Sequence, residues 1–354
     1  PNLKVAFIQD EYRHVDRTVG LLRELGINLL FTCVPEGEIE KVYSPEKLPG
    51  LHAVNTLTGF VTESLLDLTP PPFAARPIDV GYRSRQVPAW LGELGQEKWR
   101  IGERFLADAP AHGLVCDISA READRLYSDA WTEFVTRCKA LLGVESGASV
   151  FDFTGEIQRQ VEAHQQAHPE TPFAELRERY FAAEEGRIML NQISPRCFEA
   201  AALRTLQVLY EGDYSGILEP WRHYVPLRKD HANMAEVVAV LRDPARAETI
   251  LDAAYDEIAR NPEFGFGAFV ARFDAALDTA FAAEMARRKP PYETGQFQRV
   301  VRPTFTMRLH RFRRDLIDAI YRMLFGRVLR FLSDSAQDRV MRVMRRYWRM
   351  LKLS

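Results

Sequence analysis

The segment ISPRCFEAAALRTLQVLYEG, residues 193–212, sets a single carboxylate, Glu199, in a short helix otherwise built largely of small residues. Ser194 is suited to cap that helix, with Pro195 at its first position. Small side chains let such a helix sit close to a sheet. A carboxylate held there can accept two hydrogen bonds from vicinal hydroxyls, as the acidic residue of dinucleotide-binding folds does. The competing reading is a solvated carboxylate in the N-terminal turn of a helix, and spacing alone leaves both open. Arg196, in the same turn, joins Glu199 as a ligand-binding candidate.

Gly81-Tyr82-Arg83-Ser84-Arg85 ends a predicted strand, and Gly92 and Gly95 precede the next helix. Guanidinium groups with helix-terminal N–H groups suit a diphosphate, so Arg83 and Arg85 are catalytic candidates; a solvated basic turn is the alternative. In residues 143–150, GVESGASV, the small side chains let backbone approach a ligand. Glu145, Ser146, Gly147 and Ser149 are therefore candidates to meet a nucleotide or sugar. No Gly-Lys-Ser/Thr closes the run, so it is not a P-loop, and a plain strand-to-helix turn fits equally. In Glu219-Pro220-Trp221-Arg222-His223-Tyr224, His223 is the histidine best placed to contact phosphate or polarise a leaving group, against a structural role. Asp10, Glu11 and Arg13 follow the first predicted strand, at the edge that faces an interdomain cleft, and are candidates to contact a second ligand there. Glu11 also reads as a helix N-terminal carboxylate.

The elements that must position these residues alternate. Apolar runs at 4–8, 27–33, 78–82, 114–118, 140–144 and 206–210 read as buried strands, and 15–25, 96–109, 124–138 and 194–204 as helices. Such alternation predicts an α/β class, a Rossmann-like doubly wound parallel sheet with ligand at the carboxyl ends of the strands. Residues 35–72 are less regular, and Pro70-Pro71-Pro72 marks a stiff connector. Asp243-Pro244 splits helices at 234–241 and 245–258. An irregular stretch over 287–303 precedes two basic amphipathic helices, roughly 304–332 and 336–351. The implied organisation is a partial N-terminal Rossmann-like region over 1–72, a nucleotide-binding domain over 73–285 and a helical tail over 286–354.

The segments FEAAALRTLQVLYEG, SGILEPWRHYVPL and NMAEVVAVLRDPARAETI resemble the C-terminal domain of GT-B glycosyltransferases, in particular family 4-like and spore-maturation-type enzymes. The resemblance spans residues 78–259. It implies that Glu199 binds the donor ribose, and that Tyr210-Glu211-Gly212 with Ser215-Gly216-Ile217-Leu218 wall the sugar-nucleotide pocket. It also implies a nucleotide-sugar donor, a glycan or lipid-linked acceptor and retention of anomeric configuration. Two positions depart from the family pattern. Asn191 stands where a second glutamate is usual, eight residues before Glu199, and is left to hydrogen-bond a sugar hydroxyl. Arg204 stands where a glycine usually follows the helix.

The 354 residues suffice for two domains. With 46% hydrophobic and 27% charged residues the composition is that of a folded soluble protein. No apolar run approaches membrane-spanning length, and no secretory signal pattern opens the chain, so a cytoplasmic location is expected. Cys33, Cys116, Cys138 and Cys197 are scattered and read as buried free thiols. No Asp-x-Asp pair occurs, so neither a metal nor a resident cofactor is expected. Residues 287–354 hold 18 basic and 5 acidic side chains, although the net charge is only −2. Such helices suit an anionic membrane surface, as at the inner membrane face, or packing on the domain or a partner; nucleic acid fits less well, since no readout motif accompanies them. About 70 residues before the connector are few for an acceptor domain, which suggests a fragment or a shortened family member. Beyond transfer, the alternatives are a non-catalytic nucleotide- or sugar-binding module and a docking protein using the basic helices.

Overall fold

The computed structural model describes residues 3–287. The tail helices expected over 304–332 and 336–351 lie outside the described residues, as does 288–303.

The chain opens with β1 (Val5–Ile8), α1 (Val15–Leu25), β2 (Leu29–Thr32), α2 (Ile39–Val42), β3 (His52–Asn55) and α3 (Glu63–Leu66). The strands form a parallel three-stranded sheet in the order β1-β2-β3. Val15, Val19 and Leu22 bury one face of α1, and Gly26 closes the helix at φ 65°, giving its N–H to the carbonyls of Leu22 and Arg23. The sequence left β3 irregular; its four residues HAVN are exposed or half-buried and give no apolar run.

The second sheet is built from β4 (Ile78–Arg83), α4 (Gly92–Asp108), β5 (Cys116–Ser119), α5 (Ser128–Arg137) and β6 (Cys138–Gly143). An excursion of β7 (Ser146–Ala148), α6 (Glu156–Ala167), α7 (Phe173–Leu176) and β8 (Leu190–Gln192), in which β7 and β8 pair antiparallel, interrupts it. Then follow α8 (Pro195–Ala202), β9 (Leu206–Tyr210), β10 (Val225–Leu227), α9 (Met234–Leu241), α10 (Pro244–Ala254) and α11 (Phe266–Arg287). The five parallel strands run in the order β10-β9-β6-β4-β5, a Rossmann-like doubly wound sheet. From β4 the chain moves first to one side (β5) and then to the other (β6), so the topological switch point lies between β4 and β6.

Side chains alternate across this sheet. Val80, Tyr82, Ala140, Leu142, Leu206, Val208 and Tyr210 pack on one face with Ile101 and Phe105 of α4 and the apolar side of α9 and α10. On the other face lie α5 and α8. There the approach is so close that a Cβ at Gly81 would collide with the Cys138 thiol and the Phe134 ring. Ser194 caps α8, accepting the Arg196 N–H, with Pro195 at the first position.

The two sheets are joined by more than the connector. Phe151, Ile188 and Leu190, from the excursion between β7 and β8, enter the first sheet's core beside α1 and β2. The α11 helix lays Phe273, Ala276, Leu277 and Ala280 against Leu29 and Phe31. Backbone bonds run from Asp152 N to Tyr12 O (2.7 Å) and from Val61 N to Phe264 O (2.7 Å). Thr58 Oγ1 donates to Ile193 O at 2.6 Å, and Gln192 Nε2 to Cys33 O. No helix among the described residues is long and apolar enough to cross a membrane.

Candidate functional site

A cleft of about 540 Å³ opens at the carboxyl ends of β4 and β6, at the switch point. Six of the candidates read from sequence line it: Asp10, Arg83, Arg85, Ser146, Arg196 and Glu199. The first sheet supplies Asp10, from the turn after β1, with φ 63°.

Glu199 is half-buried on α8 and faces the cleft. Trp131 of α5 donates its indole N–H to Glu199 Oε2 at 2.7 Å. Burial raises the carboxyl above its ordinary 4.5, while the Trp131 bond and the nearby Arg196 pull it down. Arg196 is exposed, stacks over the Trp131 ring at 4.8 Å and donates to the Arg83 carbonyl.

A further cation, which the sequence reading passed over, is Lys98. It is half-buried on α4, lines the cleft and donates to Gly147 O at 3.4 Å. Burial lowers its pKa from the ordinary 10.5; Asp10 opposes this, and Arg85 and Arg196 add to it. None of Lys98, Arg85 and Arg196 forms an ion pair with a carboxylate among the described residues.

Arg83 stands differently. Its guanidinium pairs with Asp117 Oδ1 at 2.8 Å, donates to the Asp117 and Tyr82 carbonyls and lies 4.2 Å above the Phe134 ring. Its charge is thus compensated beside β5. Among the described residues its buried Nε has no hydrogen-bond partner, and neither has Nε2 of Gln207, another cleft residue.

The remaining candidates lie elsewhere. Glu11 is buried beneath β2, taking the Cys33 N–H at 2.7 Å and the Thr32 and Tyr43 hydroxyls. Arg13 is exposed and bridges to Asp152 through its backbone. Ser149 Oγ accepts the Leu94 N–H, and the Glu185 carboxylate accepts that of Glu93. The N-terminus of α4 is therefore filled by the protein's own groups. At Gly147, φ 126°, a Cβ would overlap the Leu190 carbonyl, so glycine is required by the antiparallel β7–β8 pairing. Glu145 takes the Tyr214 N–H (2.8 Å) and the Asn191 amide (3.3 Å), which commits these two donor-binding candidates to each other.

The wall expected from 210–218 is not part of this cleft. Tyr210 faces the opposite side of the sheet and bonds His231. Glu211 is exposed and gives its N–H to Leu227 O. Ser215 Oγ holds the Ile193 N–H, Gly216 closes a turn on Asp213, and Ile217 packs beside Tyr214. His223 is buried away from the cleft, its Nδ1 accepting the Glu219 N–H and its Nε2 bonded to Glu257 at 2.9 Å. Alternation along β9 offered the missing signal: if Tyr210 is on one face, Gln207 and Leu209 are on the other, and those two line the cleft.

Among the described residues no group of three or more His, Cys, Asp and Glu side chains is arranged to hold a metal. The four cysteines are free, and Cys197, in the cleft wall, has its thiol pushed up to about 12, chiefly by burial.

No protein-family model and no curated protein matches this sequence. Among solved structures the chain is similar to an S. aureus TarM variant in complex with fondaparinux, α-GlcNAc-glycerol and UDP (TM-score 0.40, 11% identity, 77% of this chain and 50% of TarM). It is similar also to the pneumococcal O-GlcNAc transferase GtfA in complex with UDP and GlcNAc (TM-score 0.35, 13% identity, 75% and 47%), and to Anabaena HepE in complex with UDP and glucose (TM-score 0.44, 10% identity, 78% and 72%). The chain spans about half the length of TarM and of GtfA.

Proposed function

We propose that the cleft binds a nucleoside diphosphate sugar and that the chain transfers its sugar to a glycan or lipid-linked acceptor, as a GT-B-type enzyme that retains configuration and needs no metal. One observation carries this reading: a carboxylate suited to a ribose diol and three cations, Lys98, Arg85 and Arg196, without carboxylate partners among the described residues, line one cleft at the switch point of a Rossmann-like sheet.

In this reading Glu199 accepts a ribose hydroxyl. Lys98, Arg85 and Arg196 surround the diphosphate. Transfer breaks the bond between the sugar and the terminal phosphate, and negative charge grows on the departing diphosphate. Cations fixed beforehand stabilise that charge more in the transition state than in the bound donor. The acceptor enters from the side of Asp10, beside the first sheet.

The test is a thermal-shift panel of UDP, GDP and ADP on the purified chain, repeated with Glu199→Ala. A nucleoside diphosphate should raise the wild-type Tm and raise that of Glu199→Ala much less; at 100 times Kd, binding adds about 2.7 kcal/mol of stability. Equal stabilisation of both proteins overturns the ribose assignment. Binding with neither donor hydrolysis nor transfer points to a non-catalytic module.

A further inference from the structure

Trp131 holds two cleft residues at once. Its indole N–H bonds Glu199 Oε2 at 2.7 Å, and its ring face carries the Arg196 guanidinium at 4.8 Å. Glu199 and Arg196 lie three residues apart on α8, so one helical face presents both to one ring. The spacing also has a hazard. A glutamate three residues from an arginine can swing over and pair with it, turning its oxygens away from the cleft. The indole blocks this by holding the acid at its edge and the base on its face. The grip is itself anchored: Trp131 packs 5.8 Å from Phe134, which carries Arg83 at 4.2 Å, so α5 offers successive rings, each under an arginine.

We infer that Trp131 is a positioning residue that aims Glu199 at the ribose hydroxyls and gives the cleft its preference for ribonucleotides over their dideoxy counterparts. The inference rests on the nucleotide reading above. A carboxylate has room for about four hydrogen bonds. The indole takes one on Oε2 in a fixed direction, and Oε1 stays open to a hydroxyl. Phenylalanine at this position separates the two roles. It keeps a ring for Arg196, and so the phosphate contacts, while releasing Glu199. The indole bond also holds the Glu199 carboxyl down against the upward push of burial. Without it the carboxyl takes up its proton at higher pH, and the acid limb of ribonucleotide binding moves upward.

The experiment is calorimetric titration of the full chain with UDP and ADP, each against its 2′,3′-dideoxy form, across the acid range. Wild type should prefer the ribose form of the nucleotide it binds by about ten-fold or more, the scale of a charge-assisted hydrogen bond, and Glu199→Gln should lose that preference. Trp131→Phe should lose most of it while binding the dideoxy form like wild type, and its acid limb should move upward. Should Trp131→Phe fold poorly, Glu199→Asp, which draws the carboxylate back from the indole and leaves α5 intact, is expected to lose the preference likewise. A Trp131→Phe protein that keeps the wild-type preference and pH profile, or that weakens both forms equally, overturns the inference and leaves the nucleotide reading standing. A wild type that binds neither nucleotide overturns both.

Discussion

Arg83 and Asp117 form an ion pair of 2.8 Å between neighbouring strands, with the arginine side chain 12% exposed and the aspartate 45%. The arginine spans two bonds to backbone carbonyls and an aromatic face, so it ties β4 to β5 and to α5. Arg83→Met is therefore expected to act first on stability, costing about 1–3 kcal/mol for the lost pair and ring contact. Urea denaturation measures this. Nucleotide affinity should fall less than on loss of Lys98; a larger fall would return Arg83 to the diphosphate.

Lys98 carries the opposite expectation. Lys98→Met should weaken UDP by about ten-fold or more, roughly 1.4 kcal/mol or more, and leave uridine unchanged. Because its pKa is lowered from 10.5, the ammonium and the affinity it supplies disappear at a lower pH than for a solvated lysine. Lys98→Arg should hold affinity through that range, since guanidinium stays charged. Calorimetry across the alkaline range reads both effects.

Glu11 belongs to folding. Glu11→Leu leaves the Thr32 and Tyr43 hydroxyls and the Cys33 N–H without their acceptor. At about 1–3 kcal/mol for each buried unmet donor, the loss should be 3 kcal/mol or more. Burial raises the folded-state pKa of Glu11 above 4.5, so between the unfolded and folded values the folded state holds the extra proton. This term favours folding below 4.5 and is lost as pH rises through the folded value. Tm against pH, in wild type and Glu11→Gln, shows whether the decline is removed with the carboxyl.

Glu257 shows the reverse sign. Bonds from Arg222 and His223 hold its carboxyl at about 2, so its contribution is present above 4.5 and lost as pH falls toward 2. The Tm gap between wild type and Glu257→Gln should close over that interval. His223→Phe should lower Tm and leave nucleotide affinity unchanged, because the imidazole is buried outside the cleft; a loss of affinity would contradict its placement.

Four of the five parallel strands of the larger sheet were legible as apolar runs, β10 with its three residues VPL being too short to stand out, and α8 was legible because Ser194 and Pro195 mark its start. Glu199 was read from that helix, and it lines the cleft. Lys98 was not: in the helix sequence QEKWRIGERF it is one charge among several, and only the packing of α4 on β4 and β6 turns it toward the cleft. Trp131 was hidden for the same reason, since which face of α5 meets α8 is decided in space. The wall expected from 210–218 failed on strand period, because Tyr210 points to the far side of the sheet. His223 and Glu11 have the residue types of catalysis, yet each is fully engaged by neighbours that no local spacing reveals.

The bonds from Thr58 to Ile193, Gln192 to Cys33 and Asp152 to Tyr12 tie the chain around the β7–β8 pair to the loops that follow the three strands of the first sheet. They leave little freedom for a hinge. A ligand entering here meets walls already at their working separation, so association is governed by approach and electrostatic guidance rather than by a slow closing step. Scattering profiles of the free and nucleotide-loaded chain should then superimpose, and stopped-flow rates should rise linearly with nucleotide concentration, with no plateau from a rate-limiting conformational change.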